Sequence, residues 1–119
     1  MYKRGEIVLI PVPFSDLSSS KKRPVLVLSN DGYNAESQDM VVVAVTSNLV
    51  QPGISITTAE MADGQLPKSS VIRPDKIYSL SQNIAVKSIG RVVDTVLTTV
   101  REDVLKIISE PKTEESTTP

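Results

Sequence analysis

Three cations, Lys21, Lys22 and Arg23, arrive together immediately before the apolar run Pro24-Val25-Leu26-Val27-Leu28. An arginine fork donates two parallel hydrogen bonds to a phosphate while keeping its charge, and lysines beside it supply longer-range attraction for the same anion. Arg73 and Asp75 form a second candidate group. Two residues apart on a strand they share a face, which makes them either an exposed ion pair worth less than about 1 kcal/mol or the working residues of a site. A third group, Thr46-Ser47-Asn48, ends another apolar run with two hydroxyls and an amide. Such residues bind a phosphate or a base edge, or simply build a turn.

The absent residue types narrow the chemistry further. The chain has no cysteine and no histidine. A thiolate nucleophile and a disulfide are thereby excluded, and with histidine go the usual general base near neutral pH and the commonest metal ligand. Carboxylates are dispersed singly, apart from Glu102-Asp103 and Glu114-Glu115, so no metal site is expected and no cofactor is called for. Formal net charge is −1, so a phosphate partner has to be met by a local patch and not by a global field. Residues 1–30 supply one, with Lys3, Arg4, Lys21, Lys22 and Arg23 against Glu6 and Asp16. Aromatic residues make up 3% of the chain, which leaves Phe14, Tyr2, Tyr33 and Tyr78 as the only stacking surfaces and argues against a reader that stacks bases across a sheet.

The elements that must hold these groups are mostly strands. At 119 residues the chain fits one folded unit, expected over 1–110, followed by a polar tail at 111–119 expected to be disordered. Residues 6–12, 24–28 and 40–45 read as strands whose apolar runs are continuous, the pattern of burial on both faces. Residues 13–22 are polar and serine-rich, the composition of an exposed loop. Ser29-Asn30-Asp31-Gly32 carries turn or cap chemistry ahead of one helical turn near 33–36. Further short strands are predicted at 53–57, 70–73, 77–80 and 87–93. Helical spacing occurs only near the end, through Val96, Leu97, Val100, Val104, Leu105, Ile107 and Ile108, with Asp94 as the expected N-cap and Pro111 beyond the last turn. The fold class is mainly β with a C-terminal helix, a small SH3-like or CcdB-like barrel. No apolar run reaches the roughly 18 residues of a membrane span, and the N-terminus leads into a strand with no signal-peptide pattern, so a cytoplasmic protein is expected.

Three ordered segments, Lys3-Arg4-Gly5-Glu6-Ile7, Lys22-Arg23-Pro24-Val25-Leu26-Val27-Leu28-Ser29-Asn30-Asp31 and Val43-Ala44-Val45-Thr46-Ser47, together resemble the MazF/PemK family of toxin–antitoxin ribonucleases. Ser70-Val71-Ile72-Arg73-Pro74-Asp75 resembles the strand that carries an arginine and an aspartate to the site in Kid-like members, and Ile89-Gly90-Arg91-Val92 also fits. The likeness spans about residues 2–109.

The resemblance implies a metal-independent endoribonuclease acting on single-stranded messenger RNA. In that reaction the 2′-OH attacks the adjacent phosphorus, so a base, a stabiliser of the nonbridging oxygens and a proton for the leaving 5′-oxygen are needed. By the same resemblance Arg23 and Thr46 act at the scissile phosphate, Asp75 is a candidate base and Arg73 a candidate acid or second clamp. Lys21 and Lys22 would steer phosphates, and Ser47 and Asn48 would touch the RNA. Some relatives place a histidine or an acid in the first loop; here that loop offers Asp16, Ser18, Ser19 and Ser20, and the proton donor stays open. A homodimer and a small antitoxin are implied as partners. The surplus of strand residues buried on both faces is a physical argument for the dimer, since a subunit interface could cover it. The alternative is a non-enzymatic toxin of the same barrel shape, like the CcdB gyrase poisons, which would not need Arg23 with Thr46.

Overall fold

A computed structural model of the chain describes residues 1–11 and 21–111. Asp16, the three serines at 18–20 and the tail from 112 onward lie outside the described residues. Seven strands, β1 (Glu6–Pro11), β2 (Lys22–Val27), β3 (Asp39–Thr46), β4 (Ile54–Ile56), β5 (Met61–Gly64), β6 (Ser70–Ser81) and β7 (Lys87–Val92), form one antiparallel sheet in the order β4-β6-β3-β2-β1-β7-β5. Among the described residues two α-helices, α1 (Asp31–Glu36) and α2 (Asp94–Ile108), and two single 3-10 turns, Thr58–Glu60 and Gln82–Ile84, complete it. The architecture is mainly β with a C-terminal helix, as the sequence indicates.

The continuous apolar runs do bury both faces. Ile7, Leu26, Val43, Val45, Ile72 and Val92 point to one side and pack with Val96, Val100 and Val104 of α2. Their immediate neighbours Val8, Val25, Val27 and Val42, with Ile10 and Met40, point to the other, where Tyr2, Leu80 and Ala85 lie against them. Alternation of side chains along a strand makes this division unavoidable. The second cluster is closed within the single chain: Val8, Val27, Met40 and Val42 are fully buried. A second subunit, which the sequence argument allowed as a cover for the surplus, is not needed to bury these residues. Large apolar side chains left exposed lie elsewhere, including Val50, Ile77, Tyr78, Leu105, Ile107 and Ile108.

Other expectations also need adjustment. The strands predicted at 70–73 and 77–80 are one 12-residue strand, β6. Ala44 of β3 lies opposite Arg73, and the next residue, Val43, lies opposite Ile77, so residues 74–76 bulge out without a partner on β3. Pro74 explains both the bulge and the misreading, because a proline lacks the N–H that a ladder needs. Strand β5 carries almost no apolar signal, its middle residues Ala62 and Asp63 being exposed, and was not anticipated. Asp94 is not the N-cap of α2; Val93 is, without a side-chain cap, and its carbonyl accepts from the amides of Val96 and Leu97. Asp94 sits in the first turn, where its charge complements the helix dipole. Helix α2 buries a narrower stripe than its spacing suggests, since Leu105, Ile107 and Ile108 face outward. The cap predicted near residue 30 is present: the Asn30 side chain accepts from the amide of Tyr33 at 2.8 Å and starts α1.

Candidate active site

Strand pairing brings the first and third candidate groups together. Ile10 of β1 lies opposite Arg23, and Val25 of β2 lies opposite Ala44 of β3. Extending that last register by two residues sets Arg23 level with Thr46, both at the end of their strands. Lys21, Lys22 and Arg23 then line one open cleft with Thr46 and Ser47, and the cleft measures about 340 Å³. Lys68 and Ser70, ahead of and at the start of β6, line the same cleft. Leu9, Pro24, Val45, Leu66 and Ile89 make its apolar walls. Four cations and no carboxylate among the described lining residues give a positive mouth over a greasy floor. That combination suits a phosphate at the rim and an uncharged ring within.

Arg23 is exposed, and among the described residues no side-chain hydrogen bond or ion pair engages it. Its fork is available to an incoming anion. Thr46 is half-buried, and its hydroxyl oxygen accepts from the amide of Asn48 at 3.1 Å. That bond uses an oxygen lone pair, so the O–H remains a donor. Asn48 is occupied in building the turn, its side-chain oxygen accepting from the amide of Val50 at 3.2 Å, and it does not line the cleft.

Arg73 and Asp75 stand outside the lining of this cleft; Arg73 is on the same sheet face as Thr46, and Asp75 is on the bulge, lining a separate hollow with Gly53, Asp103 and Ile107. Thr46 lies opposite Val71, and Ala44 lies opposite Arg73; because paired and alternate residues share a face, Thr46 and Arg73 are diagonal neighbours. The Arg73 fork donates through Nε to Oδ1 of Asp75 at 3.2 Å and through Nη2 to Oδ2 at 3.1 Å. A third donation runs from Nη1 to Oε1 of Gln51 at 2.5 Å. The arginine side chain is 13% exposed and the aspartate 48%. Hydrogen bonding from Arg73 holds the Asp75 carboxyl below the ordinary aspartate range. A carboxylate held down in this way is a weak base and a good anchor.

Sequence reasoning missed Lys68 and Gln51. Both are single polar residues in short loops, with no periodicity or run to mark them. Tyr33 and Tyr78 are exposed but do not line the cleft. Among the described residues no group of three or more His, Cys, Asp or Glu is placed to hold a metal ion, and no helix is long and apolar enough to cross a membrane.

Comparison with known proteins was made on sequence and on structure. The model of the PemK-like, MazF-like toxins of type II toxin–antitoxin systems matches residues 3–108. Endoribonuclease MazF2 of Mycobacterium bovis and endoribonuclease MazF6 of Mycobacterium tuberculosis are each 30% identical to this chain over 100 residues, covering 81% of it and 86% of the relative. An endoribonuclease in complex with its cognate antitoxin, from a Mycobacterial species, superposes with a TM-score of 0.71 at 16% identity, over 92% of this chain and 95% of that one. MazF of Deinococcus radiodurans superposes with a TM-score of 0.68 at 23% identity, over 90% of this chain and 96% of that one.

Proposed function

The chain belongs to the PemK-like, MazF-like toxins of type II toxin–antitoxin systems, and from that membership we propose that it is an endoribonuclease that cleaves single-stranded RNA at the cleft between β2 and β3 and is silenced by a cognate antitoxin. The observation that carries the reading is the pairing of Arg23, unengaged among the described residues, with the Thr46 hydroxyl at one cation-rimmed mouth.

Attack of a 2′-OH on the neighbouring phosphorus forms the O2′–P bond as the P–O5′ bond breaks, with the 2′ proton lost to water and the leaving 5′-oxygen protonated from water, and it spreads negative charge over the two nonbridging oxygens. Arg23 neutralises that charge with a two-pronged hydrogen bond, and the Thr46 O–H donates to the same phosphate. Arg73, one diagonal step away, supplies the second cation, and Asp75 holds it in orientation. The lowered basicity of the Asp75 carboxylate, held down by hydrogen bonding from Arg73, supports this anchoring role over that of general base. Lys21, Lys22 and Lys68 steer the flanking phosphates, and Ser47 reaches the strand beside them. Residues 1–110 act as one unit. The functional form is a cytoplasmic homodimer, and the antitoxin lays an acidic segment over the basic mouth, a mode consistent with its charge. Antitoxin-bound relatives of the same fold support the partnership. The gyrase-poison reading, a protein-binding toxin on the same barrel, is not favoured, because the curated relatives are endoribonucleases.

Incubation of the purified protein with a defined RNA in the presence of a chelator tests this. Fragments ending in a 2′,3′-cyclic phosphate are expected, and an all-DNA oligonucleotide of the same sequence should stay intact. A strict requirement for Mg²⁺, or cleavage of the DNA, would overturn the mechanism.

A further inference from the structure

The loop joining β3 to β4 begins at Thr46 and closes on Arg73. Three short bonds fold it: Asn48 amide to Thr46 Oγ1 at 3.1 Å, Val50 amide to Asn48 Oδ1 at 3.2 Å, and Gln51 amide to the Asn48 carbonyl at 3.2 Å. At its far end Gly53 has a φ of +149° and passes so close to β6 that a Cβ there would lie 2.2 Å from the Ile72 carbonyl oxygen. Glycine alone allows that approach. Ile54 then pairs with Ile72, the residue beside Arg73. Leu49 and Val50 at the tip point to solvent, with Val50 86% exposed, so neither fastens the loop. Gln51 is the half-buried side chain that turns inward, and its amide oxygen accepts from Arg73 Nη1.

An arginine carries five N–H donors. Asp75 takes two of them and Gln51 one, which leaves two for an incoming anion. Asp75 anchors one edge of the fork, through Nε and Nη2, from a half-exposed position on the bulge, and leaves the Nη1 edge to another partner. An acceptor on Nη1 blocks the swing that such a one-edged grip permits. We propose that Gln51 is a positioning residue for Arg73, fixing its remaining two N–H groups on the phosphate that the Thr46 hydroxyl also meets, so that one loop sets the geometry of both donors.

This inference rests on the reading that Arg73 acts at the scissile phosphate, and the test separates the two. Cleavage of a defined RNA by the full-length protein is measured under steady-state conditions for Gln51→Met, which keeps length and loses the amide acceptor, for Gln51→Glu, which keeps an acceptor, for Arg73→Ala, and for Gln51→Met combined with Arg73→Ala. The expected result is a fall in kcat of about tenfold for Gln51→Met with KM within about twofold, the loss that misplacing a catalytic group produces. Gln51→Glu should restore kcat while raising KM through charge repulsion, and Gln51→Met should add nothing in the Arg73→Ala background. If Arg73→Ala is crippled but Gln51→Met cleaves like wild type, or if the two losses multiply, the positioning role is wrong and the role of Arg73 stands. A change in KM alone for Gln51→Met would mean direct RNA contact and would also overturn it. Full activity in Arg73→Ala would remove both readings at once.

Discussion

Arg23 and Arg73 share a sheet face, yet one is left open and the other is tied down. Arg23 sits exposed at the head of β2 with no partner among the described residues, whereas Arg73 is largely buried and donates three hydrogen bonds to Asp75 and Gln51. An open arginine meets its ligand at the cost of side-chain entropy and contributes little to the fold. A tied arginine has lost that freedom during folding and arrives aligned. The pair thus divides capture from alignment, and substitutions should separate the two.

The sharpest separation is Arg23→Ala, which should lower kcat about 10²–10³-fold, the scale of removing one preorganised donor to a developing oxyanion, with a thermal midpoint close to wild type. Rate and melting measured on one preparation check both halves, and a large loss of stability would break the contrast. Thr46→Val comes next. It removes the O–H donor together with the acceptor for the Asn48 amide, and a fall in kcat of about tenfold is expected from the displaced geometry. Lys68→Ala should act on binding. The log–log dependence of RNA affinity on salt should flatten by about 0.7 with kcat unchanged, as follows for one single-strand phosphate contact. The smallest effect concerns Asp75→Asn. Because Arg73 lowers the folded-state pKa of Asp75, the pair's contribution to stability is fully present above the unfolded aspartate pKa and is lost as pH falls through the lowered folded value. Wild type and variant should therefore differ at neutral pH and converge in acid when melting is followed across that range. A gap that persists in acid would mean that the carboxylate acts through packing.

The parts of this architecture that sequence reveals are those in which a pattern repeats. Uninterrupted valine, isoleucine and leucine in β1, β2 and β3 announce burial on two faces, and three- and four-residue spacing announces α2, because each rests on many residues obeying one geometry. Arg23 and Thr46 stand where such runs stop, but their expected role comes from the resemblance to the MazF/PemK family and not from the pattern. Strand β5 was not legible, since Met61-Ala62-Asp63-Gly64 owes its conformation to pairing with β7, and Gly64 and Gly90 face one another in that register. The unity of β6 was hidden for the opposite reason: Pro74 looks like a break, but the long ladder with β3 carries the strand past it. Gln51 and Lys68 gain meaning only from what lies across the chain from them.

The closed second face has a further consequence. A protomer that seals Val8, Val27, Met40 and Val42 without help has no unfinished core to expose when it is alone. Obligate dimers tie their folding to protomer concentration, and the packing of this face brings no such tie. Burial of this one face is therefore independent of how many copies of the chain are present.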